Sequence, residues 1–161
     1  MKYVTLLLGL NIVLSASSLE LLIGHYHNGE YKSLCSTGSQ SIYSYKNDDT
    51  LLNMIADACL KSDNIGLLSR VIPYLKEGKA SRNNAMIYSL LILKKRAILN
   101  YFEDHLDISN MKLPVIDHPL SYLYFSLSNK TFRKIDDLVI FESGEIRYEV
   151  TFISDVKHPK I

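Results

Sequence analysis

The stretch SRNNAMIYSLLILKKRAILNYFEDH, residues 81–105, decides the fold class, because no glycine or proline interrupts it. Ser81 has the short hydroxyl side chain of a helix N-cap. From Ala85 to Leu93 only Ser89 breaks the apolar run. A helix apolar on most sides is covered on most sides. The stretch is therefore predicted to be the central helix of a mainly α-helical domain.

Working back from this helix, Gly78 ends a preceding segment in which Leu68, Val71, Ile72 and Leu75 share a face. Asp63 or Asn64 caps that segment, and Pro73 is expected to kink it by removing a backbone donor. A further helix is predicted over Thr50–Lys61. Its cap comes from Asn47, Asp48 or Asp49, and its buried face holds Leu51, Leu52, Ile55, Ala58 and Cys59. Asn28-Gly29 stops a helix carrying Leu19, Leu22, Ile23 and Tyr26, and Glu30–Cys35 starts another. The serine-rich stretch Ser36–Ser44 reads equally as a loop or as a frayed helix.

Beyond residue 105 the character changes. Pro114 and Pro119 mark a connection, and a short helix follows from Leu120 to about Lys130 with Tyr122, Tyr124 and Phe125. Leu138–Phe141 and Ile146–Phe152 flank Glu142-Ser143-Gly144-Glu145, which predicts a β-hairpin over 137–153. A two-residue Ser143-Gly144 turn sets Phe141 opposite Ile146 and Val139 opposite Tyr148, on one apolar face that Val150 extends. Leu138 and Ile140 then fall on the other face with Arg147, forming an exposed interaction edge onto which a partner adds a strand. The predicted architecture is a single mainly α domain over 19–161. It consists of stacked antiparallel helical hairpins, tetratricopeptide-like in arrangement only, since no repeat occurs at that period.

Residues 1–18 read as a signal peptide. Lys2 precedes an apolar run from Val4 to Leu14, and Ser15, Ala16, Ser17 and Ser18 offer a cut after Ser17 or Ser18. The run is shorter than the roughly 20 residues a membrane span needs, so no integral span is expected after cleavage. An uncleaved anchor competes with this reading, because Leu19, Leu21, Leu22 and Ile23 resume the apolar character. The expected location is the periplasm or the secreted fraction. Eighteen basic and 17 acidic residues give a formal net charge of +1. Losing Lys2 leaves 17 of each, so no overall field draws nucleic acid.

Cys35 and Cys59 make an even count, and in an oxidising compartment they are expected to pair. In the chain-entropy picture, closing that loop contributes about 3.5 kcal/mol. Two buried thiols are the alternative.

The runs Ala58-Cys59-Leu60-Lys61-Ser62-Asp63, Arg82-Asn83-Asn84-Ala85 and Leu93-Lys94-Lys95-Arg96 resemble a family of uncharacterised exported helical proteins of spiral, flagellated bacteria. The resemblance spans the middle third of the chain. It implies a periplasmic protein and transfers no catalytic residue.

Chemistry-bearing clusters are few. On a helix, His25 and His27 point about 200° apart and do not form a chelating pair. Lys94, Lys95 and Arg96 read as a solvated helix edge. Glu103, Asp104 and Asp107 lack the spaced oxygen ligands and the turn glycine of a calcium loop. No nucleophile elbow or glycine-rich phosphate loop occurs, so no catalytic, cofactor or metal residue is assigned. Eleven tyrosines and no tryptophan suit interfaces. The expected function is a non-catalytic helical scaffold or interaction protein of the bacterial envelope, with protein partners, such as a subunit of a flagellar-motor scaffold. The alternatives are a small exported hydrolase and a secreted effector or inhibitor.

Overall fold

A computed structural model of the chain describes residues 18–151. The expected signal segment up to Ser17 and residues 152–153 of the expected hairpin lie outside them. The chain is mainly helical and ends in an antiparallel sheet. The helices are α1 (18–27), α2 (Tyr31–Gln40), α3 (Ile42–Tyr45), α4 (Asp49–Lys61), α5 (Leu68–Val71), α6 (Lys79–Glu103) and α7 (Pro119–Ser128). The strands are β1 (Phe132–Ile135), β2 (Leu138–Ser143) and β3 (Ile146–Thr151). Among the described residues no helix is long and apolar enough to cross a membrane.

A single domain is expected over 19–161. Within the chain two compact units are distinguished, with their border between Ile92 and Leu93, within α6. The length of α6 accounts for this: 25 residues span about 38 Å, more than one small core can cover. Its buried positions form one stripe, Ser81, Tyr88 and Leu91 before the border and Lys94, Ala97 and Ile98 after it. Met86 and Leu93 are 56% and 42% exposed, so the helix is not covered on most sides.

In the first unit α2 packs against α4, and Leu34, Leu52, Ile55, Leu68 and Val71 are fully buried. Cys35 and Cys59 form a disulfide between these two helices, with their Cα atoms 4.7 Å apart. The ambiguous serine-rich stretch is helical through Gln40. Gly38 does not break α2, because the backbone there approaches α4 closely: a Cβ at this position would lie 2.6 Å from Ile55 Cγ1. Asp48 is the N-cap of α4, its carboxylate accepting from the Leu51 N–H at 2.9 Å. The kinked helix expected around Pro73 is instead three short pieces, 3₁₀ turns at Ile65–Leu67 and Ile72–Tyr74 flanking α5. A proline in mid-helix clashes with the carbonyl four residues back, and breaking the helix relieves that clash.

Ser81 does not cap α6, which starts two residues earlier. Its buried hydroxyl donates to the Asp49 carboxylate and accepts from Asn53 Nδ2 at 2.6 Å. Asn84 Nδ2 donates to Asn53 Oδ1 at 2.8 Å, so one polar network ties the first turns of α4 and α6.

In the second unit α7 starts at Pro119, with the His118 ring nitrogen accepting from the Leu120 N–H at 3.1 Å. After α7 the chain reverses at Lys130, whose φ is +58°. The Thr131 N–H donates to Ser126 O at 2.9 Å across that reversal.

The sheet is a three-stranded meander in the order β1-β2-β3, where a two-stranded hairpin over 137–153 is expected. β1 joins β2 through Asp136-Asp137, with φ +52° at Asp136, a conformation that aspartate tolerates without glycine. The β2–β3 register pairs Ser143 with Ile146, Phe141 with Tyr148 and Val139 with Val150. The turn is therefore Gly144-Glu145, not Ser143-Gly144. Gly144 has φ +62° while Glu145 stays in the ordinary region, the combination of a turn whose first central residue is glycine. The slip is two residues, so Val139, Phe141, Tyr148 and Val150 keep a common face. Val139 and Phe141 pack into a core with Leu123, Tyr124, Leu127 and Ile108. Tyr122 lies 6.1 Å from Tyr148, while Phe125 is 50% exposed.

Candidate functional site

Among the sheet residues the expected interaction edge is not assembled as predicted. Leu138 and Ile140 lie on β2, which is the central strand, and Ile140 is 6% exposed. The unanticipated β1 accounts for this. Arg133 of β1 and Glu149 of β3 face Ile140 from either side, and the apolar stems of such side chains cover a neighbour. Arg147 does lie on an outer strand, β3, where it pairs with Glu149 at 2.9 Å.

The basic trio also separates. Arg96 is exposed and Lys95 half-buried, but Lys94 is fully buried. Its Nζ donates to the Pro114 carbonyl and to Ser121 Oγ, both at 2.5 Å, and lies 5.7 Å from the centre of the Tyr124 ring. No carboxylate lies within 4 Å of it among the described residues. Burial disfavours the charged ammonium and pushes the lysine pKa down. Ser121 Oγ also accepts from the Ile116 N–H at 2.9 Å, and Tyr124 Oη donates to Met111 O at 2.6 Å. Lys94, Ser121 and Tyr124 thus pin the 107–118 connection onto α6 and α7. A lysine beside a serine hydroxyl is also a base–nucleophile pairing in some hydrolases. Here both side chains are fully enclosed. Sequence reading missed this buried lysine; the available signal was its position on the apolar stripe of α6.

The histidine pair does not converge on one site. His25 Nδ1 bonds the Glu30 carboxylate, and His27 is exposed. Among the described residues no group of three His, Cys, Asp or Glu side chains is placed to hold a metal. Between these histidines Tyr26 donates to Asp57 Oδ2 at 3.0 Å, and Asp57 pairs with Lys61 at 2.7 Å. Lys61 Nζ lies 5.2 and 4.8 Å from the Tyr26 and Tyr31 ring centres, and its hydrogen bond to Asp57 raises its pKa. Of the acidic group, Asp107 accepts from the Ser109 N–H at 2.9 Å, which pulls its pKa down, and Glu103 and Asp104 are exposed.

Surface hollows occur in both units. In the first unit a cavity of about 340 Å³ is walled by Ile42, Tyr43, Arg70, Pro73 and Tyr74. Tyr43 is 75% exposed and meets Tyr74 edge-on at 6.0 Å. In the second unit a cleft of about 350 Å³ lies between the end of α6 and β1. Neither hollow was marked by a local motif, since each joins residues distant in sequence.

No protein-family model matches this chain, and no curated protein or solved structure matches it.

Proposed function

We propose that the chain is a non-catalytic, exported interaction protein of the bacterial envelope, a disulfide-braced helical scaffold that engages other proteins. A subunit of a larger envelope assembly, such as a flagellar-motor scaffold, is the specific form this takes. The observation that carries the reading is Tyr43, whose ring is 75% exposed yet held edge-on by Tyr74 beside Arg70 and Pro73. Leaving a large ring in water forgoes its burial energy. A ring already held in place loses little further entropy on binding, and tyrosine and arginine dominate interface hot spots. The Cys35–Cys59 disulfide is compatible with an oxidising compartment.

Crosslinking in the native envelope followed by capture tests the proposal. A stoichiometric partner set with the wild type, lost with Tyr43→Ala, supports it. A wild-type protein that captures no reproducible partner refutes it. The competing reading, a small exported hydrolase, draws on the 2.5 Å contact between Lys94 Nζ and Ser121 Oγ and needs the 107–118 connection to open. Hydrolysis of generic ester substrates that Ser121→Ala abolishes would favour it.

A further inference from the structure

The cleft of the second unit joins an aromatic floor to a cationic rim. Its floor is formed by Tyr101, Phe102 and Phe132. Tyr101 meets Phe102 edge-on at 5.1 Å and Phe132 at 6.3 Å, so the three rings form one contiguous apolar surface. The rim carries Lys130, Lys134 and His105, all exposed. Lys130 and Lys134 form no ion pair among the described residues. Lys134 Nζ lies 5.9 Å from the centre of the Phe102 ring. The single carboxylate in the lining is Asp107, which accepts from the Ser109 N–H and is also stabilised by the nearby Lys130 charge, so the rim keeps a net positive balance. Phe132 and Lys134 share a face of β1, and Lys130 enters the cleft from the turn before it, so an apolar ring is flanked by two cations.

From this arrangement we infer that the cleft binds an extended acidic peptide segment in which carboxylate side chains flank an aromatic one. The inference uses a different surface from the Tyr43 hollow and stands independently of it. The aromatic side chain of the ligand stacks on the floor, and its carboxylates pair with Lys130 and Lys134. In an extended peptide, side chains on one face recur every second residue, matching the Lys134–Phe132 spacing. Single-stranded nucleic acid also favours aromatic and cationic grooves. It is the weaker fit, because 18 basic and 17 acidic residues supply no extended positive field.

Fluorescence anisotropy on the purified full-length oxidised protein tests the inference. The probe is a dye-labelled heptapeptide, Gly-Glu-Ser-Phe-Ser-Glu-Gly, whose two glutamates and phenylalanine share one face of an extended chain. In the control probes lysines replace both glutamates or a serine replaces the phenylalanine, and a fourth is a labelled thymidine oligonucleotide. The expected result is tightest binding of the glutamate–phenylalanine peptide, weakened as salt rises. Lys130→Glu with Lys134→Glu should weaken it about tenfold or more and improve binding of the lysine peptide. Both positions are exposed, so an unchanged thermal melt shows that the fold is retained. Absence of binding at millimolar protein, equal binding of all peptides, or affinity unchanged by charge reversal overturns the inference. So does tighter binding of the oligonucleotide, or a wild-type dimer that the reversal dissolves, which would make a second copy the occupant.

Discussion

Replacing Gly38 with alanine sets two effects of opposite sign against each other. Alanine is favoured over glycine inside a helix by about 1 kcal/mol, and Gly38 lies within α2. Against this, the new Cβ would sit 2.6, 2.9 and 3.0 Å from Cγ1, Cδ1 and Cγ2 of the fully buried Ile55. Favourable carbon–carbon contact lies at roughly 3.5–4.0 Å, so at least one contact is about an ångström too short. Overpacking of this kind costs about 1–3 kcal/mol. The upper end applies because the Cys35–Cys59 disulfide, one turn from both residues, ties α2 to α4 and prevents the helices from separating. The net expectation is a loss of about 2 kcal/mol, a fall in Tm of roughly 4–8 °C. Ile55→Ala alone should cost about 2–5 kcal/mol by leaving a cavity. In the double variant the alanine methyl at position 38 partly fills that cavity, so the combined loss should be smaller than the sum by about 1–3 kcal/mol. Urea denaturation of the four proteins closes the cycle. A Gly38→Ala protein as stable as the wild type, or a strictly additive double variant, refutes the close-approach account of this glycine.

Lys94 has a folded-state pKa below its unfolded value, so the unfolded chain holds the extra proton between the two. Stability of the wild type relative to Lys94→Met should therefore rise with pH through that window, up to the ordinary lysine value of about 10.4. A flat difference in urea stability as pH approaches that value from below would exclude this. Val139→Asp should cost roughly 2–4 kcal/mol by burying an unpaired charge, and Ile140→Asp, also at a buried position, should cost a comparable amount. A near-neutral Ile140→Asp melt would return Ile140 to the exposed edge. Free-thiol labelling of the denatured, unreduced protein should find about zero thiols, because Cys35 and Cys59 are paired. Intact mass of the native protein should begin near Ser18 or Leu19 if residues 1–17 are removed on export, and retention of Met1 would favour an anchor.

Local periodicity and caps were enough for much of the architecture. Spacing of three and four residues placed α4, because a helix buries one stripe whatever it packs on, and a long run without glycine or proline placed α6. The Asp48 carboxylate capped α4 because its bond to the Leu51 N–H is local. An even cysteine count was enough to suggest the Cys35–Cys59 pair that the structure contains. The alternation of Val139, Phe141, Tyr148 and Val150 chose the sheet face facing the core, and a two-residue slip in register preserved that choice. What the sequence alone left undetermined depended on partners far along the chain. β1 escaped notice because Phe132–Ile135 is short, carries two cations and turns at Asp136-Asp137 without a glycine. Once present, it made β2 central and covered Ile140, which alternation alone had left exposed. Gly38 reads locally as a helix breaker, and only the approach of Ile55 makes it a packing requirement. Lys94 stands in a basic run, yet the Pro114 carbonyl, Ser121 hydroxyl and Tyr124 ring accept its ammonium inside the second unit. Composition and spacing determine which residues can be helical or apolar. Only tertiary packing brings distant acceptors, rings and strands to a side chain, and so decides whether a lysine is buried or an isoleucine exposed.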